Sequence, residues 1–232
     1  MDYTFDHDLF LLLNFDGGPV TDKIMVAVSG VGMWIPMYVL MLWLVWRRTG
    51  WRGTLLFLAA AGIAMGLSDM VCGVFKHSGP LGNLLPDFPP RWRPMFTPEL
   101  EGLDISPDSL MVWRRNPTPD LPQAVHIPGG MGGRYGTVSA HAATIVSIAV
   151  LSANVIRRRW YGWTMVVVPV LICYSRIYLA KHFPGDLVLG SAVGATIGWL
   201  SYRLWHTVRL RTARPARPAD RRTDNGAESP PE

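Results

Sequence analysis

The 232-residue chain is predicted to be an all-α integral membrane helical bundle, with about five transmembrane helices and an interfacial helix before them. Two observations predict this fold class. Hydrophobic residues make up 49% of the chain, and the charged residues crowd into the tail and the connecting segments. An apolar run of about 20 residues is long enough to cross a bilayer as a helix. The runs that meet this condition are residues 24–46, 53–75, 137–156, 160–180 and 186–205.

Two segments depart from a simple apolar pattern. Residues 5–14 mix polar residues with Phe and Leu and are too short to cross, so we expect an interfacial helix that ends at Gly17-Gly18-Pro19. The third run, residues 137–156, is the least apolar of the five. Polar side chains inside a membrane helix should face protein or water rather than lipid. Those in the third run are Ser139, His141, Ser147, Ser152 and Asn154.

Basic residues beside the apolar runs predict the orientation in the membrane. Cytoplasmic loops are enriched in Lys and Arg. If five helices cross in alternation, all the basic clusters fall on one side, which we expect to be cytoplasmic. These clusters are residues 47–52, 157–159 and 203–214. The acidic N-terminus, the long loop and the turn around His182 then lie on the opposite, extracytoplasmic side. In the cell membrane of a bacterium this is the periplasmic side.

The predicted domain division follows from composition. Residues 1–208 form the membrane domain, and within it residues 77–136 form an extracytoplasmic loop rich in Pro and Gly. Residues 209–232 have almost no apolar content and are expected to be a disordered, basic, cytoplasmic tail near anionic lipid. The net charge is +5, and the positive residues lie beside the ends of the apolar runs, where they determine orientation in the membrane. No nucleic-acid partner is therefore expected. No obligate protein partner is evident, and the acidic N-terminus is unlike a signal peptide.

The outer ends of runs two to five carry complementary polar residues. They are Lys76, Arg93, Ser139, His141, Arg176, His182 and Asp186. A phosphoryl group in transition spreads negative charge over three oxygens, so its transfer requires positioned cations and hydrogen-bond donors. Arg93 and Arg176 can bind these oxygens with paired donors, and Lys76 can add a point charge. The start of run three adds the Ser139 hydroxyl and free backbone N–H groups.

Two histidines can divide the chemistry. His182 and Asp186 lie four residues apart around a predicted helix start, so their side chains share one face. Asp186 is expected to accept one imidazole N–H, which leaves the other nitrogen of His182 free to attack phosphorus. His141 would protonate the leaving oxygen and then activate water. Asp69, two turns before Lys76, either supports that lysine or pairs with another cation.

Three segments resemble the signatures of the type 2 phosphatidic acid phosphatase family. Residues 175–186, SRIYLAKHFPGD, resemble its third signature, SR-x5-H-x3-D. Residues 138–141, VSAH, resemble the second, usually PSGH, and Lys76 with Arg93-Pro94 resembles the first, usually K-x6-RP. Signature order, topology and membrane side also match over roughly residues 5–205. The resemblance implies a membrane lipid phosphatase that works through a phosphohistidine, without a cofactor or metal.

The resemblance also implies a role for each matching residue. His182 would be the nucleophile and His141 the general acid, and phosphate would be bound by Lys76, Arg93, Ser139 and Arg176. Sixteen residues separate Lys76 from Arg93 where the family pattern has six, which implies an insertion around residues 79–88 that loops out. In the second signature, Val138 and Ala140 replace Pro and Gly. Ala140 keeps its backbone N–H, so it can still bind phosphate.

The expected function is hydrolysis of a lipid phosphate or diphosphate. Undecaprenyl diphosphate is the first expectation for the substrate, followed by phosphatidate, phosphatidylglycerol phosphate and the lipid A 1-phosphate. The shared phosphate pocket cannot rank these lipids, and discrimination must lie in residues 77–136 and in helix packing. One rival is a vanadate haloperoxidase, a soluble relative that detergent-free solubility would support. The other is a non-catalytic membrane channel or lipid-binding scaffold, which would release no phosphate and tolerate His182→Ala.

Overall fold

The computed structural model describes residues 4–116 and 125–213, and within these ranges the chain forms helices and no strand. An isolated antiparallel bridge joins Trp92 to Tyr135. Short 3-10 helices form at Gly32–Trp34, Pro94–Phe96 and Pro98–Glu101. The α-helices are α1 (Thr4–Leu13), α2 (Gly18–Ser29), α3 (Ile35–Val74), α4 (Pro107–Arg115), α5 (Ala140–Ile156), α6 (Arg159–Tyr178) and α7 (Pro184–Ala213). The all-α prediction is therefore confirmed.

Two helical segments are long and apolar enough to cross a membrane. They are Gly32–Val74, which contains α3, and Arg159–Tyr178, which is α6. A shorter apolar helix, α5, covers Ala140–Ile156. The fifth predicted run lies inside α7, which continues to Ala213 and so takes in the first residues of the predicted tail. The remainder of that tail, residues 214–232, lies outside the described residues.

The first predicted run, residues 24–46, is not one helix. Helix α2 ends at Ser29, Gly30 is extended, and the 3-10 turn precedes α3. The Trp34 indole N–H donates to the Val28 carbonyl at 2.8 Å and fixes this turn. Helix α3 then continues to Val74 through a kink at Gly50, whose φ of 71° favours glycine. The part of run one after the 3-10 turn and the whole of run two, except its last residue, therefore form the two arms of one kinked helix.

Helix α7 packs most extensively against α5, and this contact positions the two histidines. Its small residues Gly190, Gly194 and Gly198 recur every four positions along one face. A side chain on Gly194 would come within 2.3 Å of the Ala143 carbonyl oxygen. Small residues of this kind let two helix backbones approach closely. Their contacts on α5 are with Ser139, Ala143 and Ser147.

The insertion after Lys76 folds as a series of turns that returns to its starting point. Ser78 N–H donates to the Gly73 carbonyl at 2.9 Å, which reverses the chain after α3. The Phe75 and Phe88 rings then meet edge to face, with centroids 5.4 Å apart. Further along, the 3-10 turn and α4 are joined by an ion pair between Glu101 and Arg114. The insertion thus loops out, as the sequence predicts, and brings Arg93 back towards Lys76.

Candidate active site

The turn between α6 and α7 holds His182 inside the protein. The backbone N–H of Lys181 donates to the Arg176 carbonyl at 2.9 Å, and Ala180 adopts a left-handed φ of 52°. Helix α7 begins immediately afterwards at Pro184, whose fixed φ suits the first turn of a helix. The His182 side chain is only 1% exposed. A short turn between two packed helices therefore fixes the position of this imidazole.

A backbone carbonyl sets the tautomer of His182. Its Nδ1 lies 3.1 Å from the carbonyl oxygen of Gly136. A carbonyl oxygen can only accept a hydrogen bond, so Nδ1 carries the proton and Nε2 retains its lone pair. A side chain on Gly136 would lie 2.9 Å from the Asp186 carboxylate and 3.6 Å from Nδ1. Glycine at this position therefore allows the close approach that orients the ring.

Positive charges surround the His182 imidazole. Burial lowers the pKa of His182 below its ordinary value, and the charges of Arg93, Lys76 and Arg176 lower it further. These cations come from three separate segments of the chain. The ring is consequently neutral at physiological pH, which is the state a nucleophilic imidazole requires. The structure thus brings together the histidine and the cations predicted from sequence.

Asp186 occupies a different position from the one expected. Its nearest carboxylate oxygen lies 3.6 Å from His182 Nδ1, which is an ion-pair distance and too long for a hydrogen bond. The same oxygen accepts the Phe183 N–H at 3.1 Å. The Asp186 backbone carbonyl accepts the Ser139 N–H at 3.0 Å and so joins α7 to the start of α5. Asp186 therefore braces the turn and lies close enough to stabilise positive charge on the ring.

The start of α5 presents three of the predicted groups together. Buried Ser139 is the N-cap residue, and its Oγ accepts the Ala142 N–H at 3.4 Å. Its hydroxyl proton remains available for donation, because that contact uses only an oxygen lone pair. Ala140 and His141 lie in the first turn, where backbone N–H groups have no acceptor within the helix. This end of α5 can therefore bind an anion.

Arg176 is a buried cation whose Nε is not used in a hydrogen bond to the described residues. The side chain is at the end of α6, and the residue is only 6% exposed. Its Nη1 donates to Ser29 Oγ at 2.6 Å, whereas Nε has no hydrogen-bond partner among the described residues. A buried guanidinium N–H without an acceptor is costly, so a ligand oxygen is a natural partner for it. The bond to Ser29 also places the end of α2 beside the site.

Arg93 and Lys76 complete the group of cations. Arg93 Nε donates to the Tyr135 carbonyl at 3.2 Å, and the guanidinium packs so closely on Gly132 that a Cβ there would lie 2.6 Å from Nη1. Lys76 follows the end of α3. Burial, and then the positive charge of Arg93, lower the pKa of Lys76 to about 8. The looped insertion therefore leaves these two cations near each other.

Two positioning residues were not predicted from sequence. Asp6 of α1 accepts the Gly185 N–H at 2.9 Å and forms an ion pair with Arg91. The Arg91 guanidinium lies over the Phe183 ring, 3.6 Å from its centroid. Both residues thus brace the turn that carries His182. The sequence indicates Asp6 only as part of an acidic N-terminus, and its one signal for Arg91 is the position two residues before Arg93.

A cavity of about 500 Å³ adjoins this site. It lies between α3 and α5 and reaches Ser29 at the end of α2. Its walls are mostly apolar, and Ala140, His141 and Asp69 are also part of its lining. The general-acid candidate His141 therefore borders this apolar space and lies close enough to His182 for their charges to interact.

One group of possible metal ligands lies away from these residues, among Asp16, Asp22 and His126. Its members already have partners within the protein. Asp22 accepts hydrogen bonds from the Tyr178 hydroxyl at 2.6 Å and from His126 Nε2 at 2.8 Å. These contacts tie α2 to the end of α6 and to the long loop, which is a structural role.

Comparisons with known proteins agree with this chemistry. The family model of the PAP2 superfamily matches residues 77–210. The chain is 31% identical to a lipid A 4'-phosphatase of Bacteroides thetaiotaomicron, over 93% of this chain and 85% of the relative. It is 26% identical to a lipid A 4'-phosphatase of Porphyromonas gingivalis, over 89% and 75%.

A third relative bears a different name. The chain is 25% identical to an undecaprenyl-diphosphatase of Sulfolobus acidocaldarius, over 88% of this chain and 80% of the relative. No solved structure matches the chain significantly. The family match covers more than half of the chain and includes every predicted site residue except Lys76, which lies one position before it. The chain therefore belongs to the PAP2 superfamily and is a lipid phosphatase.

Proposed function

We propose that the protein hydrolyses a lipid phosphate in two steps through a phosphohistidine at His182. The observation that carries this proposal is the neutral imidazole whose Nδ1 proton is held by the Gly136 carbonyl while three cations surround the ring. In the first step the Nε2 lone pair attacks phosphorus and the bond to the ester oxygen breaks. His141 gives its proton to that oxygen, which leaves as an alcohol.

The second step regenerates the enzyme. His141, now neutral, takes a proton from water, and the resulting hydroxide attacks phosphorus. The N–P bond then breaks and its electron pair returns to Nε2, which releases inorganic phosphate. Arg93, Lys76 and Arg176 stabilise the charge on the phosphoryl oxygens in both steps, together with Ser139 and the Ala140 N–H. Asp186 stabilises the positive ring while the bond to phosphorus exists. No step needs a metal or cofactor.

The first candidate substrate is a phosphate on a lipid A-type acylated sugar. Two relatives that match over most of their length are named for that activity. Undecaprenyl diphosphate, which ranks first on sequence alone, is the second candidate, supported by the archaeal relative. Phosphatidate and phosphatidylglycerol phosphate follow. The apolar cavity beside His141 suits the lipid part of any of these substrates.

The proposed setting is a cell membrane crossed five times by the two arms of α3, α5, α6 and α7. The Arg residues near the kink of α3, in the link between α5 and α6, and at the end of α7 would then all be cytoplasmic. His182 and the long loop would face the extracytoplasmic side. A lipid phosphate in the outer leaflet could reach the site from there without crossing the membrane.

A substrate panel on detergent-purified protein tests the proposal. Phosphate release is measured from an acylated sugar phosphate, an isoprenyl diphosphate, a glycerophospholipid phosphate and a water-soluble aryl phosphate, each with and without a chelator. We expect turnover in chelator and its loss in His182→Ala. His206→Asn is the matched control, because His206 is an exposed residue of α7 far along the chain from the site. Full activity in His182→Ala, or strict dependence on added magnesium, would contradict the proposal.

A further inference from the structure

Asp69 is a carboxylate on the wall of the apolar cavity beside His141. Among the described residues that line this cavity it is the one acidic side chain, and the lining also includes the apolar residues Phe57, Met65 and Ile145. Its carboxylate makes no hydrogen bond or ion pair to the described residues. Asp69 is an exposed residue, so its carboxylate is open to a ligand, and its negative charge favours the ammonium form of Lys76. An ionisable residue in a membrane helix is therefore a candidate for ligand binding.

The position of Asp69 relates it to the leaving group of the substrate. Asp69 lies five residues before the end of α3, about 7.5 Å along the helix axis, whereas Lys76 lies two residues beyond that end. His141, the proposed general acid, lines the same cavity. If the leaving oxygen of a bound substrate meets His141, the next atoms of its leaving group can enter the cavity that His141 and Asp69 both line. Asp69 would then share that cavity with the leaving group.

A carboxylate discriminates between kinds of leaving group. It accepts hydrogen bonds and donates none, so it favours a neighbour with hydroxyl or amide N–H groups. It also repels a second negative charge at close range. The leaving group of an acylated sugar phosphate is a neutral sugar that carries such donors. The leaving group of an isoprenyl diphosphate is a lipid monophosphate, which would bring negative charge into the space beside Asp69.

We propose that Asp69 is a specificity-determining residue. It accepts a hydrogen bond from a hydroxyl or amide of the substrate's leaving group. The protein therefore selects an acylated sugar phosphate over an isoprenyl diphosphate. This inference rests on the proposed lipid phosphatase function. It differs from the role considered from sequence, in which Asp69 only supports Lys76. A residue that acts through Lys76 would affect every phosphate ester alike, whereas one that binds the leaving group affects only substrates with donors there.

The test compares Asp69→Asn with wild-type protein on three substrates. The acylated sugar phosphate probes the proposed hydrogen bond, the isoprenyl diphosphate probes charge repulsion, and the soluble aryl phosphate reports on the phosphate-binding groups alone. Asp104→Asn is the matched control, since it removes one carboxylate from an exposed part of the long loop. Asp69→Leu, which has no amide, is measured beside Asp69→Asn so that a substitute hydrogen bond cannot hide the effect.

We expect kcat/KM for the acylated sugar phosphate to fall by about tenfold or more, mostly through KM, as when a hydrogen bond to a charged group is lost. The aryl phosphate should be hydrolysed at the wild-type rate, and KM for the isoprenyl diphosphate should stay the same or fall. Equal losses on all three substrates, or no loss on any, would overturn the assignment of Asp69. Wild-type protein that releases phosphate from none of them would instead overturn the proposed function.

Discussion

The orientation of the His182 ring depends on a backbone carbonyl oxygen, that of Gly136, and not on a side chain. The two histidines and the cations can be predicted from sequence because their side chains carry the chemistry. The sequence also predicts that Asp186 accepts an imidazole N–H of His182, but the acceptor is the Gly136 carbonyl, 3.1 Å from Nδ1. Every residue has a carbonyl oxygen, so a sequence contains no signal for which one is used. The Gly136 N–H donates to the Arg91 carbonyl at 2.8 Å, next to the bridge between Trp92 and Tyr135, and these contacts between distant residues hold Gly136 in place.

The Gly136→Ala variant tests this orientation. The added Cβ would lie 2.9 Å from the Asp186 carboxylate, closer than a carbon and an oxygen normally approach, so the carboxylate or the ring must move. We expect kcat to fall between about 10-fold and 100-fold, the cost of a misplaced catalytic group, with KM little changed. Steady-state kinetics measure this. Gly130→Ala is the control, because nothing lies within 4 Å of a Cβ there, and a wild-type kcat in Gly136→Ala would contradict the account.

The pKa of Lys76 predicts an alkaline limit to activity. Since burial and Arg93 lower that pKa to about 8, the ammonium is charged below pH 8 and loses its proton as the pH rises through that value. Loss of the charge weakens phosphate binding, so kcat/KM, which reports the free enzyme, should decline above about pH 8. In Lys76→Arg the guanidinium stays charged and the decline should move to higher pH. Lys23→Arg, at an exposed position, should leave the profile unchanged, and an unmoved decline in Lys76→Arg would refute the role of Lys76.

At the scale of the elements, α1 acts as a brace for the catalytic turn. The prediction of a short helix near residues 5–14 is matched by α1 at Thr4–Leu13. Its contacts could not be predicted, because they join residues almost a whole chain apart. Asp6 accepts the Gly185 N–H, and the His7 ring stacks on Phe183 with centroids 4.8 Å apart. A helix expected to lie on the membrane surface therefore also holds the turn of His182.

The Asp6→Asn variant tests whether α1 positions the turn of His182 or only lies on the membrane surface. Asparagine can still accept the Gly185 N–H, but it cannot form the ion pair with Arg91. We expect kcat to fall roughly tenfold with KM nearly constant, because the change acts on the turn rather than on phosphate binding. Asp8→Asn removes a charge from an exposed position of the same helix and is the control. Equal kcat values for the two variants would show that α1 does not position the turn.

The break between α2 and α3 could not be predicted from the hydropathy of the sequence. The apolar run 24–46 predicted one helix because hydropathy sums side chains over a window and does not report backbone angles. The break at Gly30 depends on tertiary contacts: Trp34 bonds to the Val28 carbonyl, and Ser29 accepts a hydrogen bond from Arg176. The glycines of α7 were also missed, although their spacing of four is visible in the sequence. Both features place helices against the site.

At the scale of the whole molecule, the basic clusters and the candidate site lie at opposite ends of the predicted helices. Arg48 Nη1 donates to the Ile156 carbonyl at the end of α5, opposite the end that carries Ser139. The kink of α3 and the link between α5 and α6 are therefore on the same side. The structure thus separates the basic residues from the site, and five crossings with the site on the extracytoplasmic side stay a prediction.

Cysteine labelling tests that topology. In a background with Cys72→Ala and Cys173→Ala, single cysteines are introduced by Asp104→Cys in the long loop and by Arg158→Cys between α5 and α6, both exposed positions. An impermeant maleimide added to intact cells should label the first variant and reach the second only after lysis. Labelling of both in intact cells would contradict the crossing by α5, and labelling of Arg158→Cys alone would contradict the predicted orientation.

The central claim is that the His182 imidazole becomes covalently bonded to phosphorus, and rapid quenching during turnover tests it most directly. Protein mixed with radiolabelled substrate is quenched in alkali and the labelled peptide is identified by mass spectrometry. The account predicts label on His182, no label in His182→Ala, and accumulation of label in His141→Ala with a good leaving group, because the second step then lacks its base. Label on a different residue, or turnover by His182→Ala at the wild-type rate, would contradict it.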